Sequence, residues 1–295
     1  MNTVLSPLAA TDLSAPARHA AKRAAMLARQ TGGQLNLVHV LEKSALTELR
    51  RLFGLSGDTV EESVRQQAQD ALTHLASELA TPEPLRVSWH LVEGAVLADI
   101  PEQVDLLGCN LLVVGAHGTG FMRHWLLGAT AERMLRKTRH PILVVKEAPR
   151  QAYRTMLVPV DFSDWSLRAI DLAQRIGPQA ELLLLHACEL PFEGKMRFAG
   201  VDEDTIRQHR ETIHREAMAR MCEIAMDAGL TPAQWRPLVA FGNPPDYILE
   251  QEEEQGADLI VMGKHGMGMT EELLLGSVTK HVLGQAHSDV LVVVR

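Results

Sequence analysis

The stretch GKHGMGMTEELLLGSV runs from Gly263 to Val278 and places glycines at 263, 266, 268 and 276, with Ser277 directly after the last. Residues of these types at this spacing suit an anion. Glycine lets backbone N–H groups come close to a phosphate with no Cβ in the way. A helix opening at Gly276-Ser277 adds unpaired N–H donors and about half a positive charge at its N-terminus. Ser277 either caps that helix or bonds a phosphate oxygen. From the glycines alone, a tight loop leading into a capped helix with no ligand reads equally well. The stretch lacks the G-K-[ST] ending of a Walker loop. It also follows a fourth strand rather than a first, which separates it from the dinucleotide fingerprint. Asp161, in VPVDFS, is the second candidate. A carboxylate at a strand end accepts hydrogen bonds from an adenine amino group or a ribose hydroxyl. The simpler role is that Asp161 or Ser163 caps the next helix.

Other reactive groups form no constellation. The 13 histidines include no HxxxH or HExxH pair, and His209 and His214 stand five apart, on different helix faces, so no metal site is expected. No G-x-S-x-G elbow appears. Cys109, Cys188 and Cys222 are scattered without CxxC spacing and read as reduced thiols of a cytoplasmic protein. No catalytic residue is assigned.

These groups need elements to position them, and the chain supplies the elements twice. Residues 108–135, GCNLLVVGAHGTGFMRHWLLGATAERML, lie over 256–283, GADLIVMGKHGMGMTEELLLGSVTKHVL, at a constant offset of 148. Gly115, His117, Gly118, Gly120 and Gly128 fall on Gly263, His265, Gly266, Gly268 and Gly276. PILVVK (141–146) falls on DVLVVV (289–294). VLSPLAATDLS (4–14) matches MLVPVDFSDWS (156–166) at an offset of 152, which sets Ala9 opposite Asp161. A unit of roughly 145 residues is a duplicated domain rather than a solenoid repeat. The expected domains are 1–147 and 153–295, joined by the polar KEAPRQAYR (146–154).

Within the second half, apolar runs alternate with helical patterns. Strands are expected at 155–160, 181–187, 234–241 (an edge, given Pro237), 258–263 and 290–294. Helices are expected at 166–177, 203–229 and 245–256, with a last one opening near 276. The first half follows the same order. Such alternation means parallel crossovers and an α/β sheet, whose ligands bind beyond the carboxyl ends of the strands. The acidic run EQEEEQ (250–255) reads as a solvated helix face. The formal net charge of −8 disfavours nucleic acid and anionic membranes as partners. No apolar run approaches the ~18 residues of a membrane span, and MNTVLSPLAATDLS lacks the pattern of a signal peptide.

The strand-end Asp161, then DLIVMGKHG with G-x-x-G, nine residues and G-S, resembles the universal stress protein family, and the whole chain resembles a tandem member. The resemblance implies two domains, each a five-stranded parallel sheet of order 3-2-1-4-5 with helices on both faces. It implies adenine-nucleotide binding, ATP with or without Mg²⁺. Carried over by position, Asp161 meets the adenine–ribose end and Ala187 lines the adenine slot through its backbone. Gly263 faces the ribose or α-phosphate. Gly266, Gly276, Ser277 and Val278 hold the phosphates, mainly by backbone N–H. Lys264 is a local addition that either pairs with a phosphate or stays in solvent, as loop lysines commonly do.

The first half departs at the functional positions, with Ala9 opposite Asp161 and Ala129 opposite Ser277. Thr11 or Asp12 offers a substitute for the missing carboxylate, but both fall a turn later and read better as helix caps. The first domain is therefore expected to be degenerate, with the nucleotide in the second. The apolar last strands, ILVV (142–145) and VLVVV (290–294), are edge strands in the implied order. Family members dimerise by that edge, so the two domains are expected to pair as a pseudo-dimer, with a homodimer open as well. The leading expectation is an ATP-binding stress-response regulator acting on a protein partner. Two alternatives stay open: a slow ATPase or phosphoryl- or adenylyl-transfer enzyme using His265, and an interaction scaffold without nucleotide.

Overall fold

The computed structural model describes residues 4–53, 57–81, 83–117, 127–188, 198–266 and 274–294. Gly118, Gly120, Gly268 and most of the nine-residue loop before Gly276 lie outside the described residues. The chain divides into two compact units, Met1–Ala152 with Asp289–Arg295, and Tyr153–Ser288.

In the first unit the strands of the first repeat are β1 (Pro7–Ala10), β2 (Leu35–Glu42), β3 (Val87–Gly94), β4 (Leu111–Gly115) and β5 (Ile142–Val145). They lie in the order β3-β2-β1-β4-β5, all parallel. The helices are α1 (Ala15–Thr31), α2 (Lys43–Phe53), α3 (Gly57–Leu79), α4 (Val96–Leu106) and α5 (Ala129–Lys137). Helix α1 is bounded by Ser14, whose hydroxyl accepts from the Ala17 N–H, and by left-handed Gly32. The central strands are fully buried at Leu8, Leu37, Leu112 and Leu143, as continuous apolar runs covered on both faces must be.

The second unit repeats the winding. Strands β6 (Thr155–Pro159), β7 (Glu181–Cys188), β8 (Trp235–Phe241) and β9 (Leu259–Gly263) are parallel in the order β9-β6-β7-β8. Helices α6 (Asp164–Ile176), α7 (Glu203–Asp227), α8 (Pro244–Gln255) and α9 (Ser277–Gln285) connect them. The expected strand and helix spans agree with these to within two residues. Pro237 lies on the edge strand β8, where a missing N–H costs no ladder bond. Winding reverses between β6 and β9, so the crevice beyond their carboxyl ends is the natural ligand position.

Two acidic residues depart from expectation. Glu252, in the run read as solvated, is 4% exposed. Its carboxylate turns inward and accepts the backbone N–H groups of His287 and Ser288, at 2.8 and 2.5 Å. Asp289 opens the chain's last strand, β10 (Asp289–Val293), which belongs to the first unit and runs antiparallel to β5 with Leu291 opposite Leu143. Asp289 accepts from the Lys146 N–H at 2.9 Å and pairs with Arg23 at 3.3 Å, both side chains under 10% exposed. Arg23 also donates to the Gln151 carbonyl at 2.8 Å. The remaining charge of this pair is thus satisfied by backbone, as a buried ion pair requires.

Candidate functional site

Beyond the ends of β6, β7 and β9 lies a cavity of about 320 Å³. Its size is that of a small-molecule site. Asp161, Ala187, Gly263, Gly266, Gly276, Ser277 and Val278 all line it, so the structure brings together seven of the eight residues singled out in the sequence. Lys264 is the exception. Its side chain is 2% exposed and is absent from the cavity wall, so it is neither in solvent nor a lining group.

Asp161 is held by its own turn. One carboxylate oxygen accepts the Ser163 N–H at 3.1 Å, the Ser163 hydroxyl at 2.6 Å and the Ser166 hydroxyl at 2.8 Å. Ser163 occupies the N-cap position of α6 but makes no side-chain capping bond, because its hydroxyl serves Asp161. The turn requires Phe162 at φ 63°, left-handed for a bulky residue, a strain that clusters at functional sites. The other oxygen of Asp161 faces Gly266: a Cβ there would lie 3.0 Å from it. Any larger residue at 266 would press on the carboxylate. Gly263 is equally constrained, since a Cβ would stand 2.9 Å from the Cβ of Trp165.

The same cavity wall includes the N-terminus of α9. The Gly276 N–H is donated to the Lys264 carbonyl at 3.0 Å, so Gly276 contributes shape and not a donor, contrary to the expectation of a phosphate-binding N–H there. The N–H groups of Ser277 and Val278, in the first turn, have no acceptor within the helix. The Thr279 hydroxyl donates to the Gly263 carbonyl at 2.9 Å and ties the strand end to the helix start.

Two imidazoles complete the wall. His186 contacts the Val160 carbonyl through Nδ1 at 2.8 Å, which makes Nδ1 the donor and leaves Nε2 as acceptor in the neutral ring. Its ring lies 4.3 Å from that of Phe162, over which Arg220 of α7 sits at 4.0 Å. Burial pushes the His186 pKa down; its bond to Val160 opposes this, and the Arg220 charge adds to it. His265 is 7% exposed, and burial, then the Lys264 charge, push its pKa down. Its ring meets Trp165 edge-on at 6.3 Å. Trp165, Ser166 and Thr279 went unnoticed in the sequence. A repeat comparison in the correct register finds all three, since each faces a different residue in the first half.

The first unit carries a corresponding cavity of about 500 Å³. Its register corrects the pairing of Ala9 with Asp161. Ala9 lies fully buried inside β1, between Leu37 and Val113. Thr11 donates to the Val38 carbonyl as Val160 does to Leu185. His39 contacts the Thr11 carbonyl as His186 contacts Val160. Leu13, at φ 66°, repeats Phe162. Asp12 is therefore the counterpart of Asp161, and it lines the cavity. The hydroxyl loss at Ala129 stands, since Gly128 and Gly276 make the same backbone bond.

A doubly wound α/β unit, present twice, with a carboxylate and a helix N-terminus lining a cavity at its switch point, defines the class of fold. The sequence model of the universal stress protein family matches residues 8–146 and 152–294, and the chain belongs to that family. The universal stress protein Rv1636 of Mycobacterium tuberculosis is 34% identical over 143 residues, covering 48% of this chain and 97% of the relative. The universal stress protein Mb2028c of Mycobacterium bovis is 26% identical over 247 residues, covering 79% of this chain and 77% of the relative. The crystal structure of a universal stress protein from Archaeoglobus fulgidus superposes with a TM-score of 0.69, at 19% identity and 98% coverage of both chains, a likeness of fold. Among the described residues, no helix is long and apolar enough to cross a membrane.

Proposed function

We propose that the second unit binds an adenine nucleotide, ATP, and that the chain is a cytoplasmic stress-response regulator whose nucleotide state alters the surface it offers to a protein partner. One observation carries this reading: the Asp161 carboxylate, locked by Ser163 and Ser166, shares a cavity with the open N–H groups at the start of α9. A carboxylate suits hydroxyl and amino donors, and a helix N-terminus suits phosphate, so together they match the two ends of a nucleotide. The acceptor Nε2 of His186 and the apolar Leu185, Ile248 and Met262 supply a surface for a base. Magnesium, where present, would sit on the phosphates, which carry most of the charge. Pairing of the two repeats through their last strands belongs to the same reading, supported by the antiparallel β5–β10 ladder. Calorimetric titration with ATP tests it. The wild type is expected to bind, and Asp161→Ala to bind at least tenfold more weakly with its melting temperature retained. Equal affinity in the two proteins removes Asp161 from the site.

A further inference from the structure

His265 lines the second unit's cavity and is 7% exposed, yet among the described residues neither ring nitrogen has a hydrogen-bond partner. Buried polar groups are nearly always satisfied. An imidazole whose two buried nitrogens lack partners among the described residues, at a cavity wall, is a group set to bond something that enters the cavity.

Its position says what. His265 lies between Gly263 and Gly266, and its Cα is 3.6 Å from where a Cβ on Gly276 would stand. The residue's backbone is therefore close to the start of α9, where an anion is favoured. Among the described residues, the charged or titratable groups around it are Lys264 beside it, Asp161 facing Gly266 from the β6–α6 turn, His186 at the end of β7, and Arg168 of α6, which lies 5.5 Å from the centre of the Trp165 ring. The cavity residues contributed by α6, α8 and α9 carry no charge.

We propose that His265 is a proton-linked ligand contact: a phosphate seated at the α9 N-terminus accepts a hydrogen bond from the His265 ring and holds it as imidazolium. The inference rests on the nucleotide reading above. Without ligand, burial and the Lys264 charge keep the ring neutral. A phosphate within hydrogen-bond distance reverses the balance, because an adjacent opposite charge favours the protonated form. Binding then takes one proton from solvent, which forms an N–H bond at the second ring nitrogen, and no other covalent bond changes. Because the free ring titrates below 6.5 and the bound ring above its free value, affinity rises as pH falls through the bound-state value. It levels off below the free-state value. By linkage, acidification shifts the protein toward its loaded state. His117 of the first unit holds the same repeat position but is less buried, and Ala116 stands where Lys264 stands.

The test is titration of ATP into the wild type, His265→Gln and His265→Leu between pH 5.5 and 8. The phosphate's own ionisation is common to all three and cancels in the affinity ratios. The glutamine variant is expected to lose the added acid-side tightening, about tenfold for each pKa unit the ligand shifts. The leucine variant is expected to bind more weakly throughout. Nitrogen-15 histidine spectra of the wild type are expected to show His265 moving from neutral to imidazolium on adding ATP at pH 7, a readout that does not depend on any variant folding. ATP bound with a neutral His265, or with wild-type pH dependence in the glutamine variant, overturns the inference and leaves the nucleotide reading standing. No ATP binding to the wild type overturns both.

Discussion

The two cavities share a backbone and differ in side chains. Both have an aspartate after the first strand of the repeat, a left-handed residue next to it, a histidine bonded to the strand end and glycines on either side of the loop. Where the second has Ser166, Lys264, Ser277 and Thr279, the first has Ala17, Ala116, Ala129 and Ala131. The consequence begins at the aspartate. In the second unit Ser163 gives its hydroxyl to Asp161, and Ser166 joins it. In the first, Ser14 caps α1 through the Ala17 N–H, while Asp12 lies exposed and accepts the Ser14 N–H at 3.0 Å. The same fold thus gives one carboxylate fixed by hydroxyls and one at the surface. Glycine and winding determine that a cavity forms, and small hydroxyl side chains determine how firmly it is polarised. The first cavity, about 500 Å³ against about 320 Å³, is the roomier of the two, consistent with its trimmed side chains.

The largest expected effect tests the frame on which the first cavity stands. Arg23→Ala leaves Asp289 buried without its cation and is expected to cost about 3–5 kcal/mol in the first unit, read by chemical denaturation. A loss below about 1 kcal/mol would mean that the pair is solvated and the frame rests elsewhere.

Next in size is the contrast between the two aspartates. Asp161→Ala removes an acceptor serving three donors and is expected to weaken ATP binding by about ten- to a hundredfold, whereas Asp12→Ala is expected to change it less than about twofold. Equal effects would erase the difference between the cavities. The converse experiment restores the hydroxyls. Ala17→Ser, Ala129→Ser and Ala131→Thr together are expected to raise the affinity of the first cavity, each contact adding about 0.5–1.5 kcal/mol, seen as a second ATP per chain. A stoichiometry that stays at one would show that shape, not hydroxyls, excludes the ligand.

The smallest effect is on stability against pH. Both His186 and His265 titrate below 6.5 in the folded state because of burial. Below that value the unfolded chain takes up protons that the folded second unit refuses. Stability is full above 6.5 and falls as pH drops toward the folded-state values. Thermal melts between pH 7.5 and 5 are expected to show this decline in the second unit, with ATP reducing it. An unchanged melting temperature in the absence of ATP would mean that neither ring is buried neutral.

Much of this architecture was legible in the sequence because buried parallel strands leave unbroken apolar runs and the glycine loop recurs at a fixed offset. The same regularity led to Asp161, Ala187 and the α9 entrance, which line one cavity. The register at the start of the repeat was not. DFSDWS contains the pattern D-x-S twice, and matching Pro7 to Pro159 selected the second copy, which hid Asp12. The backbone bonds of Thr11 and Val160, the histidine contacts to their carbonyls and the left-handed Leu13 and Phe162 resolve that choice. The burial of Lys264 and Glu252 was illegible as well, since charged residues in a loop or an acidic run are ordinarily solvated and only tertiary packing overrides that.

The most direct measurement is the number of ATP molecules bound per chain, determined by titration of the wild type, Asp161→Ala and Asp12→Ala. The account predicts one in the wild type, with affinity retained in Asp12→Ala and weakened by about ten- to a hundredfold in Asp161→Ala. Binding that survives in Asp161→Ala and disappears in Asp12→Ala, or no binding to the wild type, would contradict it.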